Sequence, residues 1–137
     1  MIWGIQWDLA CDFISKKGEQ KSITDSTAWG NYSNSTGNAA VMDETIQKYG
    51  TKQVTGYSEY WKANNIYDLA GNCWEWTREA SNISGRACRG GGYSSKGLSY
   101  PASYRNGIDA IHSSSSSGRF SSHFNNKVAL ERLTLTL

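Results

Sequence analysis

A chain of 137 residues with one proline, a net charge of +2 and 38% apolar residues suits a single globular domain spanning residues 1–137, long enough to bury roughly 65–70% of its unfolded surface. Six tryptophans and eight tyrosines supply much of the apolar material, and with so small a net charge they exclude a chain that is disordered throughout. No apolar run is long enough to span a bilayer, no signal-peptide pattern opens the chain, and the basic residues stand singly rather than clustered as a nucleic-acid footprint requires, so neither membrane insertion nor nucleic-acid binding is expected.

The first predicted element is a helix. Trp3, Trp7, Ala10 and Ile14 recur at helical spacing, Ile5, Leu9 and Phe13 form an adjoining stripe, and Lys16-Lys17-Gly18 supplies a basic last turn and a stop. Stripes this wide predict a helix packed against a sheet on one side and loops on the other. Residues 19–40 are Ser, Thr, Asn and Gly around one Trp29-Gly30-Asn31, which reads as a long ordered loop. A short helix is expected over residues 43–49, ending before Gly50. The N-glycosylation patterns at Asn31, Asn34 and Asn82 are read as chance matches in an Asn- and Ser-rich chain.

Residues 65–76 read Asn-Ile-Tyr-Asp-Leu-Ala-Gly-Asn-Cys-Trp-Glu-Trp. Two carboxylates, two amides and a glycine interleaved with three large aromatics suit neither a plain helix face nor an alternating strand. An oxygen-rich turn that holds a hard cation, framed by indole rings, accounts for the mixture. The competing role for Asp68 and Glu75 is to cap backbone amides or to pair with Arg78 and Arg89. Cys11, Cys73 and Cys88 are odd in number and lack metal-knuckle spacing, so they read as buried thiols, with a Cys73–Cys88 bridge as the alternative.

Residues 74–79 then alternate as a strand, 81–85 turn, and 86–89 form a second strand that ends in Gly90-Gly91-Gly92. Three glycines let backbone approach backbone or ligand closely, but they lack phosphate-loop spacing. Residues 1–80 hold ten acidic and seven basic side chains, and residues 81–137 hold two and seven; singly scattered, the later basic residues read as a solvated face. From Tyr93 to Ser117 the chain is mostly Ser, Tyr, Asn and Gly. Tyrosine and histidine give amphipathic contact at low entropic cost, and serine and glycine give adaptable hydrogen bonding, so this stretch is closer to a paratope than to a catalytic cleft. Display on a binding face is expected for Tyr93, Ser94, Ser95, Leu98, Ser99, Asn106, Ile108, Asp109, Ile111 and His112. The pentaserine 113–117 reads as a flexible loop with no ligand. Alternating Val128, Leu130, Leu133, Leu135 and Leu137 predict a last strand over residues 127–137.

In order along the chain, Ile5-Gln6-Trp7-Asp8, Trp29-Gly30-Asn31, the run 65–76, Arg89-Gly90-Gly91, Ser103-Tyr104-Arg105-Asn106 and Gly118-Arg119-Phe120 resemble the formylglycine-generating enzyme, or sulfatase-modifying factor, family. The resemblance covers residues 3–120. It implies an α+β fold of the C-type lectin-like type, with short antiparallel strands, few helices and long ordered loops. The family's N-terminal portion has no counterpart in this chain, and the Leu-rich tail departs from the family's ending. The resemblance further implies structural calcium held by Asp68, the carbonyls of Gly71 and Cys73, and Glu75.

Active members of that family oxidise a substrate cysteine with a pair of cysteines beyond the Arg-Gly-Gly, where soft thiolates hold copper. No cysteine follows Cys88, so no copper is expected and the chain reads as non-catalytic. Ser103, Asp109 and His112 can be drawn as a triad, but among so many serines, and with no GxSxG elbow, the set carries no weight. The composition of residues 93–117 resembles the variable proteins of diversity-generating retroelements, from phages and bacteria, which lack those cysteines and concentrate mutable residues in this region. The expected partner is then a protein or cell-surface ligand, and the expected location a phage particle or a bacterial surface. Two alternatives stand beside it: an oxidase whose copper site lies elsewhere, and a structural phage or cell-surface subunit.

Overall fold

The computed structural model describes residues 1–40, 49–109 and 119–120. The expected helix at 43–49 and strand at 127–137, the pentaserine, and the display residues Ile111 and His112 lie outside the described residues, apart from Tyr49, which stands in a turn. The described architecture is α+β. In chain order it comprises helix α1 (Gly4–Lys16), a short 3₁₀ turn (Gly37–Ala40), and strands β1 (Lys62–Ala63), β2 (Ile66–Tyr67), β3 (Glu75–Ala80), β4 (Gly85–Arg89), β5 (Arg105–Asp109) and β6 (Arg119–Phe120).

Helix α1 follows its sequence signals at both ends. Gln6 Oε1 accepts the Trp3 amide at 2.8 Å, the half of a capping box that a tryptophan N-cap permits. At the far end Gly18 turns left-handed, at φ 59°, and Asn64 ties the helix to the β1–β2 turn by donating to the Lys17 carbonyl (2.9 Å) and accepting the Glu19 amide (3.0 Å). The stripe Trp7, Ala10, Cys11 and Ile14 is buried, in a core completed by Trp29, Tyr32, Leu69 and Ala102. Trp3, the first residue of that predicted stripe, and the adjoining stripe of Ile5, Leu9 and Phe13 depart from expectation. Trp3 is 54% and Ile5 65% exposed, Leu9 is exposed as well, and Phe13 is half-buried against the core. A helix at the margin of a small core has packing partners on only one flank, and Trp3 instead lies beneath the Arg78 guanidinium at 5.5 Å.

Strands β3, β4 and β5 form an antiparallel meander, and β6 adds in parallel beside β3 at Glu75 and Trp76, giving the order β5-β4-β3-β6. The register shifts between Trp76 and Ala80, a bulge that bends β3 where the segment before the helix joins it, and the Arg78 amide donates to the Ile2 carbonyl at 2.8 Å. Every fully buried indole or phenol has a backbone acceptor. Trp7 donates to Ala102 (2.8 Å), Trp29 to Ser22 (2.7 Å), Trp61 to Ala39 (3.0 Å) and Tyr32 to Gly90 (2.8 Å). Rings thus fill the core and their polar tips hold the loops against it.

Candidate functional site

The run 65–76 folds as a hairpin end followed by a tight, buried turn. Asn64 and Asn65 both have positive φ, 49° and 64°, between Ala63 and Ile66, which pair across the strands. That is the two-residue hairpin loop for which asparagine is favoured, since its side chain tolerates the left-handed region. Asp68, Gly71 and Asn72 are left-handed too. A Cβ on Gly71 would collide with the Asn31 carbonyl, so only glycine lets the two segments touch. The amide of Asn72 then donates to that same carbonyl at 2.8 Å.

Asn31 and Asn72, both fully buried, fasten four segments together. Asn31 donates to Thr51 (2.8 Å) and accepts from the Gly50 amide (2.8 Å), while Asn72 donates to the Gln53 carbonyl (3.0 Å) and accepts from the Gln53 amide (2.9 Å). The Asn31 pattern for glycosylation is therefore inaccessible in the fold. Through its carbonyl, Asn72 also takes the Tyr93 amide at 2.9 Å, which ties the start of the candidate display segment to this turn.

All four residues of the calcium set are buried, Asp68, Gly71 and Cys73 in the turn and Glu75 at the start of β3. Among the described residues no three His, Cys, Asp or Glu side chains gather around one point, whereas this set would combine two carboxylates with two carbonyls, the hard-oxygen chemistry calcium takes. Asp68 does part of what the competing role proposes, since its Oδ2 accepts the Gly56 amide at 3.0 Å. The arginines make their ion pairs and ring contact with other groups: Arg78 with the Trp3 ring, Arg89 with Asp8 and Glu79.

That second arginine centres a charged cluster that sequence reasoning missed. Arg89 is almost wholly buried; its Nη2 reaches Glu79 at 2.9 Å and Asp8 at 3.1 Å, and its Nη1 donates to the Ser103 carbonyl at 3.3 Å. Glu79 also binds Arg105, whose Nη2 donates to the Ala80 carbonyl at 3.0 Å. Partial burial works to raise the Glu79 carboxyl, but the hydrogen bonds from Arg105 and Arg89 outweigh it and hold the group below the usual carboxylate range. The pairing of Arg89 with Arg105 across β4 and β5 gave no sequence signal, because the shared carboxylate comes from a third strand.

The segment after the triple glycine is a loop docked on residues 22–36, followed by β5. Ser33 donates to the Ser95 carbonyl (3.0 Å), Ser26 to the Gly97 carbonyl (3.2 Å) and Ser103 to the Ile23 carbonyl (3.1 Å), all through backbone amides. Gly97 donates in turn to Asn34 Oδ1 at 3.0 Å. With the backbone held, Ser94, Leu98 and Ser99 project into solvent, Leu98 at 65% exposure. Tyr93 and Ser95 are half-buried. Asn106, Ile108 and Asp109 belong to β5 and not to a loop; Asn106 pairs with Cys88, Ile108 with Arg86 and Asp109 with Gly85, and both Asn106 and Ile108 are half-buried on the sheet face they share with Cys88 and Trp76. Beside them stand three mutually edge-on rings, unpredicted from sequence: Trp74, Tyr100 and Tyr104, with centroids 5.0–6.0 Å apart. Tyr100 is 38% exposed.

Cys11, Cys73 and Cys88 are buried and unbridged, in agreement with their reading as buried thiols. Burial pushes the Cys11 and Cys88 thiols up to about 12, far from the thiolate that redox or nucleophilic work needs. Ser103 is committed to the Ile23 carbonyl, to which its hydroxyl donates at 2.8 Å.

Comparison of the chain with protein-family models, with curated proteins and with solved structures returns no match. No helix among the described residues is long and apolar enough to cross a membrane.

Proposed function

We propose that the chain is a non-catalytic binding module of the formylglycine-generating-enzyme, C-type-lectin-like type, related in character to the variable proteins of diversity-generating retroelements. Its ligand surface comprises Tyr93, Ser94, Ser95, Leu98, Ser99, Asn106, Ile108 and Asp109, continued by Ile111 and His112. The supporting observation is the docked loop, whose backbone is fixed by hydrogen bonds to residues 22–36 while Ser94, Leu98 and Ser99 stay free of the core. Side chains there can change without disturbing what holds the loop, which is what a tolerant display surface requires. Calcium bound by Asp68, Glu75 and the Gly71 and Cys73 carbonyls would neutralise two buried carboxylates and stiffen the turn that holds Tyr93.

The coding sequence provides the test. Two near-identical copies of the region encoding residues 89–120, differing only at adenines and lying beside a reverse transcriptase gene, are expected. A single invariant copy would remove diversification from the reading. Conversion of cysteine to formylglycine in a sulfatase peptide by the purified chain with added copper would overturn the non-catalytic assignment.

A further inference from the structure

We propose that Glu79 is the positioning residue of this binding face, one carboxylate that fixes both arms of the display segment. The inference rests on the display reading for its function but on geometry alone for its existence. One arm is direct, because Glu79 Oε1 binds Arg105, the first residue of the strand that carries Asn106 and Ile108. The other runs through a neighbour: Glu79 Oε2 binds Arg89 Nη2 at 2.9 Å, and Arg89 Nη1 donates to the carbonyl of Ser103, at the end of the docked loop, at 3.3 Å.

The carboxylate itself is well held. Its own amide donates to Thr77 Oγ1 at 3.3 Å, Thr77 is fully buried and donates to the Ala87 carbonyl at 3.0 Å, and the backbone of Gly4 packs so closely over the Glu79 side chain that a Cβ there would overlap it. Helix α1 also sends Asp8 to Arg89 at 3.1 Å. Glu79 therefore stands where α1, β3, β4 and β5 meet, anchored on the side of the core and holding the display segment on the other. Without its charge, two guanidinium groups are left close together with only Asp8, which is more than half exposed, to offset them.

Amide exchange of the full chain tests this without any ligand. In Glu79→Gln, peptides from residues 96–109 should exchange at least about tenfold faster, as loss of a charge-assisted hydrogen bond implies, while peptides from α1 and from β1–β2 keep their rates. Arg105→Gln removes one arm only, so β5 should loosen and residues 96–103 should not. Glu59→Gln, which removes an exposed carboxylate paired with Lys62 and Tyr67, should leave residues 96–109 unchanged. Uniform acceleration across the chain in Glu79→Gln, or equal loosening of both arms in Arg105→Gln, would overturn the clamp, and the Arg105 variant decides the matter if Glu79→Gln does not fold. The expected local pattern in a chain whose coding region has one invariant copy would sink diversified display and leave the clamp standing.

Discussion

Replacing Asn72 by alanine probes the joint on which the turn and the start of the segment after the triple glycine both depend. The substitution removes the acceptor of the Gln53 amide (2.9 Å) and the donor to the Gln53 carbonyl (3.0 Å), together with the longer bond from Asn31 Nδ2 (3.3 Å), a group that keeps the Thr51 carbonyl at 2.8 Å, and it places alanine at φ 61°. Both Gln53 groups are only partly buried, so water compensates in part and each lost bond costs about 1 kcal/mol, near the low end for a stranded polar group. Left-handed alanine adds about 1 kcal/mol that asparagine largely escapes, for a total of about 3 kcal/mol. For a chain of this size that corresponds to a fall in Tm of roughly 10–15 °C. Urea unfolding followed by tryptophan fluorescence measures the loss, and Asn72→Gly separates its parts. Glycine loses the same hydrogen bonds without the backbone strain and should recover about 1 kcal/mol relative to alanine. A loss below about 1 kcal/mol for alanine, or a glycine variant no more stable than the alanine one, would refute this account of the joint.

Four further outcomes are expected. Calcium should raise the Tm of the wild-type chain and leave that of Glu75→Ala unchanged; a wild-type melting curve indifferent to calcium retires the ion. With two thiols raised to about 12 and all three buried, a disulfide reagent at pH 8 should label the native chain negligibly and three thiols per chain in urea, whereas rapid native labelling contradicts the burial. Because the folded Glu79 carboxyl lies below its unfolded value, it contributes stability that is fully present above the unfolded carboxylate range and is lost as pH falls through the depressed folded value. Acid unfolding of Glu79→Gln should lack that part of the slope below about pH 4.5, and superposable wild-type and variant profiles would deny the charge a role. Finally, Leu98→Ala should change stability by less than about 0.5 kcal/mol, since its side chain points into solvent, and a larger loss in urea unfolding would show that the loop packs inward.

Local signals carried part of this far. The buried stripe of α1, the glycine that ends it, strands β3 and β4 and the turn between them all follow from spacing and from punctuation by Gly and Asn, which act over a few residues. A turn around Asp68 and Gly71 was likewise legible from the mixture of residue types, whereas the burial of Asp68 and Glu75 was not. The segment after the triple glycine was legible only as a composition. Its sequence does not say that Ser94, Leu98 and Ser99 face solvent while Asn106 and Ile108 are half-covered on a strand, because β5 contains Gly107 between unlike residues and shows no alternation. Pairing with β4 makes it a strand.

By itself, then, the sequence determined that this is an aromatic-cored α+β chain with an oxygen-rich turn and a polar stretch beyond its triple glycine. Residue type and spacing act locally and survive any arrangement of the parts. The tertiary structure alone decided that Ile5 and Leu9 stay wet, that Asn31 meets Asn72, and that Glu79 reaches two arginines from different strands. Each of these depends on contacts between segments far apart in the chain, and the free energy of such a contact has no counterpart in the order of neighbouring residues.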